Sequence, residues 1–162
     1  MVNQVTLDTS PLIIYLVGSF DSNHLSKVKY SNRKFSKIDY DLLIQYIGSK
    51  KICITPQILA EMCNIVENSF GKDLFKKFME HIFSLLKEDI IEIYHRKERL
   101  MTNLKIIDFG FSDISLFFCS DINNEVIIGD SPLFYYFKNE NKNVKFLDEI
   151  LAPQWFFTNL PK

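Results

Sequence analysis

Gln4-Val5-Thr6-Leu7-Asp8-Thr9-Ser10-Pro11 is a short β-prone run that stops on an acid, passes through helix-capping residues and turns into a helix at a proline. The device recurs twice. Lys51-Ile52-Cys53-Ile54 leads into Thr55-Pro56, and Glu125-Val126-Ile127-Ile128 leads into Gly129-Asp130-Ser131-Pro132. Short apolar strands alternating with helices predict an α/β fold built on a central, mostly parallel sheet. In such sheets ligands bind outside the carboxyl ends of the strands. Asp8 and Asp130 each follow directly on a strand, so both are expected at that crevice.

Outward from these points the periodicity predicts a helix over 12–17 stopped by Gly18. Residues 19–38 are polar and read as an excursion outside the core, either irregular or a loop with a short helix. Apolar spacing returns at Leu42, Leu43, Tyr46 and Ile47. Behind Pro56, Ile58, Leu59, Met62, Ile65 and Val66 share one helix face, which Glu61 borders. After Gly71 a helix carries Phe75, Phe78, Ile82 and Phe83 toward the core, and 90–93 reads as a third strand. Residues 95–99 form a basic stretch in a short helix. Gly110-Phe111-Ser112-Asp113 opens a nearly all-apolar helix, 114–119, expected to be buried on most sides. A helix over 133–137, a strand over 144–147 and an aromatic tail (148–162) with Trp155-Phe156-Phe157 complete one domain spanning 1–162.

Composition narrows the class. Hydrophobic residues at 47% and charged residues at 24% exclude a disordered chain. A net charge of −1 excludes a whole-molecule positive field, so a polyanion would need a local basic patch, a metal, or both. Cys53, Cys63 and Cys119 form no close pair, and His24, His81 and His95 offer no zinc spacing. The N-terminus lacks a basic leader and its apolar run, 11–17, is too short to span a bilayer, so a cytoplasmic location without membrane attachment is expected.

Four acids stand out by position: Asp8, Glu61, Asp113 and Asp130. Carboxylates held together cannot all stay ionised without compensation. A hard divalent cation, Mg²⁺ or Mn²⁺, is the usual compensation, and it lowers the pKa of a bound water and neutralises phosphodiester charge. Each acid also has a plainer reading. Asp8 and Asp113 could cap helices, Glu61 could be a solvated face residue and Asp130 an Asx-turn residue. Positive charge for RNA could come from Arg33-Lys34 with Lys37, from Lys50-Lys51, or from His95, Arg96, Lys97 and Arg99. The last group is singled out because an arm after the third strand lies near the strand ends. Most phenylalanines are expected in the core (Phe75, Phe78, Phe83, Phe117, Phe118), with Phe20 or Phe35 exposed and open to a partner helix.

These residues carry a resemblance. Residues 5–13, Thr55-Pro56-Gln57-Ile58-Leu59-Ala60-Glu61, Phe111-Ser112-Asp113-Ile114 and Val126-Ile127-Ile128-Gly129-Asp130-Ser131-Pro132-Leu133 resemble, in order, the four motifs of the PIN domain. That family includes the toxin ribonucleases of bacterial VapBC toxin–antitoxin pairs. The resemblance implies a three-layer sandwich with a five-stranded sheet, with Asp8, Glu61, Asp113 and Asp130 holding Mg²⁺ or Mn²⁺ and Ser10 as a supporting hydroxyl. It implies hydrolysis of RNA phosphodiesters by a metal-bound water, leaving a 5′-phosphate, and it implies an antitoxin partner and a homodimer. Many members have a Thr two residues before the last Asp. Here that place is Ile128, followed by Gly129, and Ser131 is the candidate replacement hydroxyl. The alternative is a catalytically inactive PIN-like module that binds RNA or protein. A haloacid-dehalogenase-type phosphatase would need an acid where Ser10 stands, and a receiver domain would need an acidic pair and a late Lys that are not evident.

Overall fold

The computed structural model describes residues 3–30 and 33–151. Five parallel strands, β1 (Gln4–Leu7), β2 (Lys51–Ile54), β3 (Ile90–Glu92), β4 (Asn124–Ile128) and β5 (Val144–Phe146), form one sheet in the order β3-β2-β1-β4-β5. The chain therefore is α/β with an all-parallel five-stranded sheet between helices. Val5, Leu7, Cys53, Ile54 and 126–128 are buried, as strands covered on both faces must be.

The helices are α1 (Thr9–Asp21), α2 (Lys37–Ile47), α3 (Pro56–Phe70), α4 (Lys72–Glu88), α5 (Lys97–Leu100), α6 (Ile106–Phe117), α7 (Ser131–Asn139) and α8 (Leu147–Leu151). Right-handed crossovers put the β1–β2 and β2–β3 connections on one face of the sheet and the β3–β4 and β4–β5 connections on the other. The packing agrees: α1 touches α2, α3 and α4, and α6 touches α7. Helix α3 also touches α6, so it links the two layers. Between β1 and β4 the direction of winding reverses. That switch point is where an open α/β sheet leaves its ligand crevice.

Several sequence expectations are corrected. Gly18 does not stop α1, which begins at Thr9 and runs on to Asp21. A Cβ at Gly18 would lie 2.2 Å from the Tyr40 ring, so glycine is there to let α2 approach α1. The segment after α1 is not outside the core either. A 3₁₀ turn over Ser22–Lys27 buries Leu25, and Val28 and Phe35 are buried beyond it. Phe83, expected in the core, is 68% exposed, because α4 buries only the stripe of Phe78 and Ile82. Phe35 is 2% exposed rather than open to a partner, while Phe20 packs edge-on against Phe78. The aromatic residues Trp155-Phe156-Phe157 lie outside the described residues. Among the described residues no helix is long and apolar enough to cross a membrane.

Gly18→Ala forces a methyl into the Tyr40 ring and should cost about 1–3 kcal/mol, the scale of core overpacking. Urea unfolding of Gly18→Ala, alone and combined with Tyr40→Ala, checks this: the loss should shrink in the double variant.

Candidate functional site

Asp8 follows β1 and is 5% exposed. It is the N-cap of α1, and its Oδ1 accepts from the Thr9 N–H at 2.6 Å. Its Oδ2 accepts from the Gly129 N–H at 3.0 Å, across the switch point. Capping and a place in the crevice are thus one arrangement, not rival readings. Asp130 is exposed and caps α7, accepting from Leu133 N at 2.9 Å. The turn-forming Asx reading of that residue is replaced by a helix cap: the position two residues on is Pro132, which has no N–H, and the bond goes to the third residue instead.

Gly129 is required by space. A Cβ there would lie 2.8 Å from both Cβ and Oγ of Ser10. The Ile128-Gly129 pair, a departure from the family motif by sequence, is therefore a close contact between β4 and the start of α1. Ser10 is buried beside it, whereas Ser131 is exposed in the first turn of α7.

Glu61 and Asp113 are half-buried and reach the site from opposite layers. A hydroxyl strut sets their two helices together. Thr55 caps α3 through Ile58 N, and its Oγ1 lies 2.8 Å from Ser115 Oγ of α6. Ser115 in turn donates to the Ser112 carbonyl at 2.6 Å. Helix α6 is not regular where it begins: Gly110 has φ 86°, so the segment carrying Asp113 starts afresh beyond it. The Asp113 carboxylate makes no hydrogen bond to another described residue.

The acids sense one another. Burial pushes the Asp113 carboxyl up to about 7, and the charges of Asp8, Glu61 and Asp130 push the same way. Burial also raises Asp8, to about 6, against the lowering by its two backbone N–H donors, with Glu61 and Asp130 adding to the rise. Sequence reasoning missed Tyr30. Burial raises its phenol to about 12, and Asp8, Glu61 and Asp113 add to the rise, while a hydrogen bond with the Ser10 side chain opposes it. Tyr30 therefore belongs to the acidic site. An aromatic residue interleaved with Lys29 and Arg33 was the only signal in the sequence that could have marked it.

Among the described residues no three His, Cys, Asp or Glu side chains are arranged to hold a metal ion directly. The donor chemistry nonetheless fits a hard cation. Mg²⁺ keeps several waters and is commonly held by only one or two carboxylates. Two carboxyls raised by burial, Asp8 and Asp113, with further acids near enough for their charges to act on them, suit that mode.

The basic stretch is divided. His95 is buried, 3.4 Å from Cys119 Sγ and packed on the Phe118 ring, and burial and then Arg99 lower its pKa. Its imidazole packs against the residues just beyond the C-terminus of α6. Arg99 stands over the Phe118 ring at 5.0 Å, and Arg96 and Lys97 are exposed.

A raised carboxylate pKa means the native state binds protons that the unfolded chain releases. In metal-free protein, stability should therefore fall as pH rises from about 4 through the folded values near 6 and 7, and level off above them. Thermal melting in chelator across that range tests the sign. Asp113→Asn should flatten the profile and raise the neutral-pH melting temperature. A second expectation concerns Gly129→Ala, which should lower the melting temperature and be partly rescued by Ser10→Gly.

No protein-family model matches the chain, and no curated protein or solved structure matches it.

Proposed function

We propose that this chain is a PIN-like, metal-dependent endoribonuclease that hydrolyses RNA phosphodiesters at the carboxyl edge of its sheet. The observation that carries the reading is the pair Asp8 and Asp113 beside the β1/β4 switch point, two carboxyls raised by burial and further by the charges of Glu61 and Asp130. Such an arrangement is costly to the fold, and a divalent cation relieves it. When bound, Mg²⁺ or Mn²⁺ supplies a water of lowered pKa and neutralises charge on the phosphodiester.

The chain's own residues divide the remaining tasks. Asp8 is immobilised by two backbone N–H groups, so its free lone pairs are aimed without further ordering. Asp113 and Glu61 are held by packing and by the Thr55–Ser115 strut, which leaves their carboxylates available. Ser10 and Tyr30 supply hydroxyl donors at the rim. Ser131 remains a candidate hydroxyl only through its place in the motif. The role as a toxin, an antitoxin partner, a homodimer and a cytoplasmic location follow from the family resemblance alone.

Asp113→Asn is the cleanest test, because Asp8→Asn would also remove one of two bonds that tie β1 to β4 and α1. Purified protein incubated with mixed single-stranded RNA and Mn²⁺ or Mg²⁺ should release fragments carrying a 5′-phosphate. Asp113→Asn should lower the rate by at least about 100-fold, the scale of losing several kcal/mol of charge stabilisation. RNA binding without cleavage under either metal would instead favour the non-catalytic module.

A further inference from the structure

On the segment that follows the 3₁₀ turn a cavity of about 570 Å³ is lined by Lys27, Lys29, Arg33 and Lys34, with Ser26 and Ser69, and by no acid among the described residues. The chain as a whole carries a net charge of −1, so this is a local concentration of positive charge, not part of a general field. Its walls are built. Val28 and Phe35 are buried and pin both ends of the segment, and Tyr30 and Arg33 pair across an antiparallel bridge. The Lys29 N–H donates to Ser69 Oγ at 2.9 Å, fastening the segment to the last turns of α3. Arg33 is oriented by an ion pair with Asp148 and lies 5.5 Å over the Phe35 ring, which leaves other guanidinium donors to face a ligand. Lys29 and Lys34 have no ion-pair partner among the described residues.

The same short segment carries Tyr30 to Ser10 and the carboxylates. One stretch of chain thus borders the acids through Tyr30 and the cavity through Lys29, Arg33 and Lys34. Glu61 and Ser69 mark the two places on one helix, about 12 Å apart along its axis. A ligand bound at both must be extended and anionic along its length. A single-stranded nucleic-acid backbone meets that requirement, and cationic grooves that track such backbones commonly set aromatic side chains beside them.

We propose that the cavity lined by Lys27, Lys29, Arg33 and Lys34 is a subsite for a backbone phosphate of single-stranded RNA, remote from the bond at the acids. The subsite rests on the ribonuclease reading above for the identity of its ligand. Its electrostatic character makes a quantitative expectation possible, since each phosphate contact on a single strand contributes about −0.7 to the slope of log K against log salt.

The test is fluorescence anisotropy of a fluorescein-labelled oligouridylate, in chelator and in the Asp113→Asn background, over a salt titration. Lys29→Ala with Lys34→Ala should weaken binding and flatten the slope by about 0.7, the loss of one phosphate contact. Lys72→Ala with Lys77→Ala, two exposed lysines of α4, should leave the slope unchanged. An unchanged slope in the first pair, equal flattening in the second, or no RNA binding by the parent overturns the subsite. The two readings separate cleanly. Flattening with no cleavage by the unmutated protein in either metal keeps a phosphate subsite and removes the nuclease. Cleavage with an unchanged slope removes the subsite and keeps the nuclease.

Discussion

The Asp8 carboxylate is the joint on which the structure turns. One oxygen receives the first N–H of α1 and the other receives the Gly129 N–H at the end of β4. These bonds close the gap that the reversal of winding opens between β1 and β4. They also bring Ser10 so close to Gly129 that no side chain fits there. A buried carboxylate is tolerated only when hydrogen-bonded, and two backbone donors supply much of what water would. They do not supply all of it, for the carboxyl still titrates near 6. The residue that organises the fold is thus left electrostatically unsatisfied toward the crevice.

Around that joint the positioning is done by small hydroxyl and amide pairs, not by ion pairs. Thr6 and Asn124 exchange hydrogen bonds of 2.8 and 3.1 Å between β1 and β4, and Thr55 and Ser115 do the corresponding task between α3 and α6. Buried neutral pairs of this kind satisfy their own polar atoms at little desolvation cost. They leave the acids unneutralised. Among the described residues none of the four candidate acids forms an ion pair with a Lys or Arg. The positive charge is displaced instead onto the segment that borders the site, where Lys29, Arg33 and Lys34 surround a cavity. Keeping the two signs apart costs stability, and the proposed cation between the acids and anion along the segment would each recover part of that cost.

Much of the fold was legible because its signals are local. The apolar face of α3 stood out at Ile58, Met62 and Val66, all of them buried, and β2 spans the residues its composition marked. Caps and prolines announced where α3 and α7 begin. The errors arose where a local cue met a distant partner. Gly18 has the appearance of a helix stop, yet what it accommodates is the Tyr40 ring of another helix. His95 sits in a run of cations, yet it is buried against Cys119. The polar segment after α1 looked dispensable to the core because its buried anchors, Leu25, Val28 and Phe35, are isolated among polar residues.

The sequence by itself determined the strands, the α/β class and the acids that stand out by position, Asp8 and Asp130 after strands and Glu61 and Asp113 on helices. Those features are written within a few residues of one another, in period and capping chemistry. The tertiary structure alone decided that the sheet reverses between β1 and β4 and that Gly129 answers Asp8. It alone placed Tyr30 with the acids and gathered three lysines and an arginine around one cavity. These depend on contacts between residues far apart in the chain, and the packing of the whole core selects them rather than any local preference.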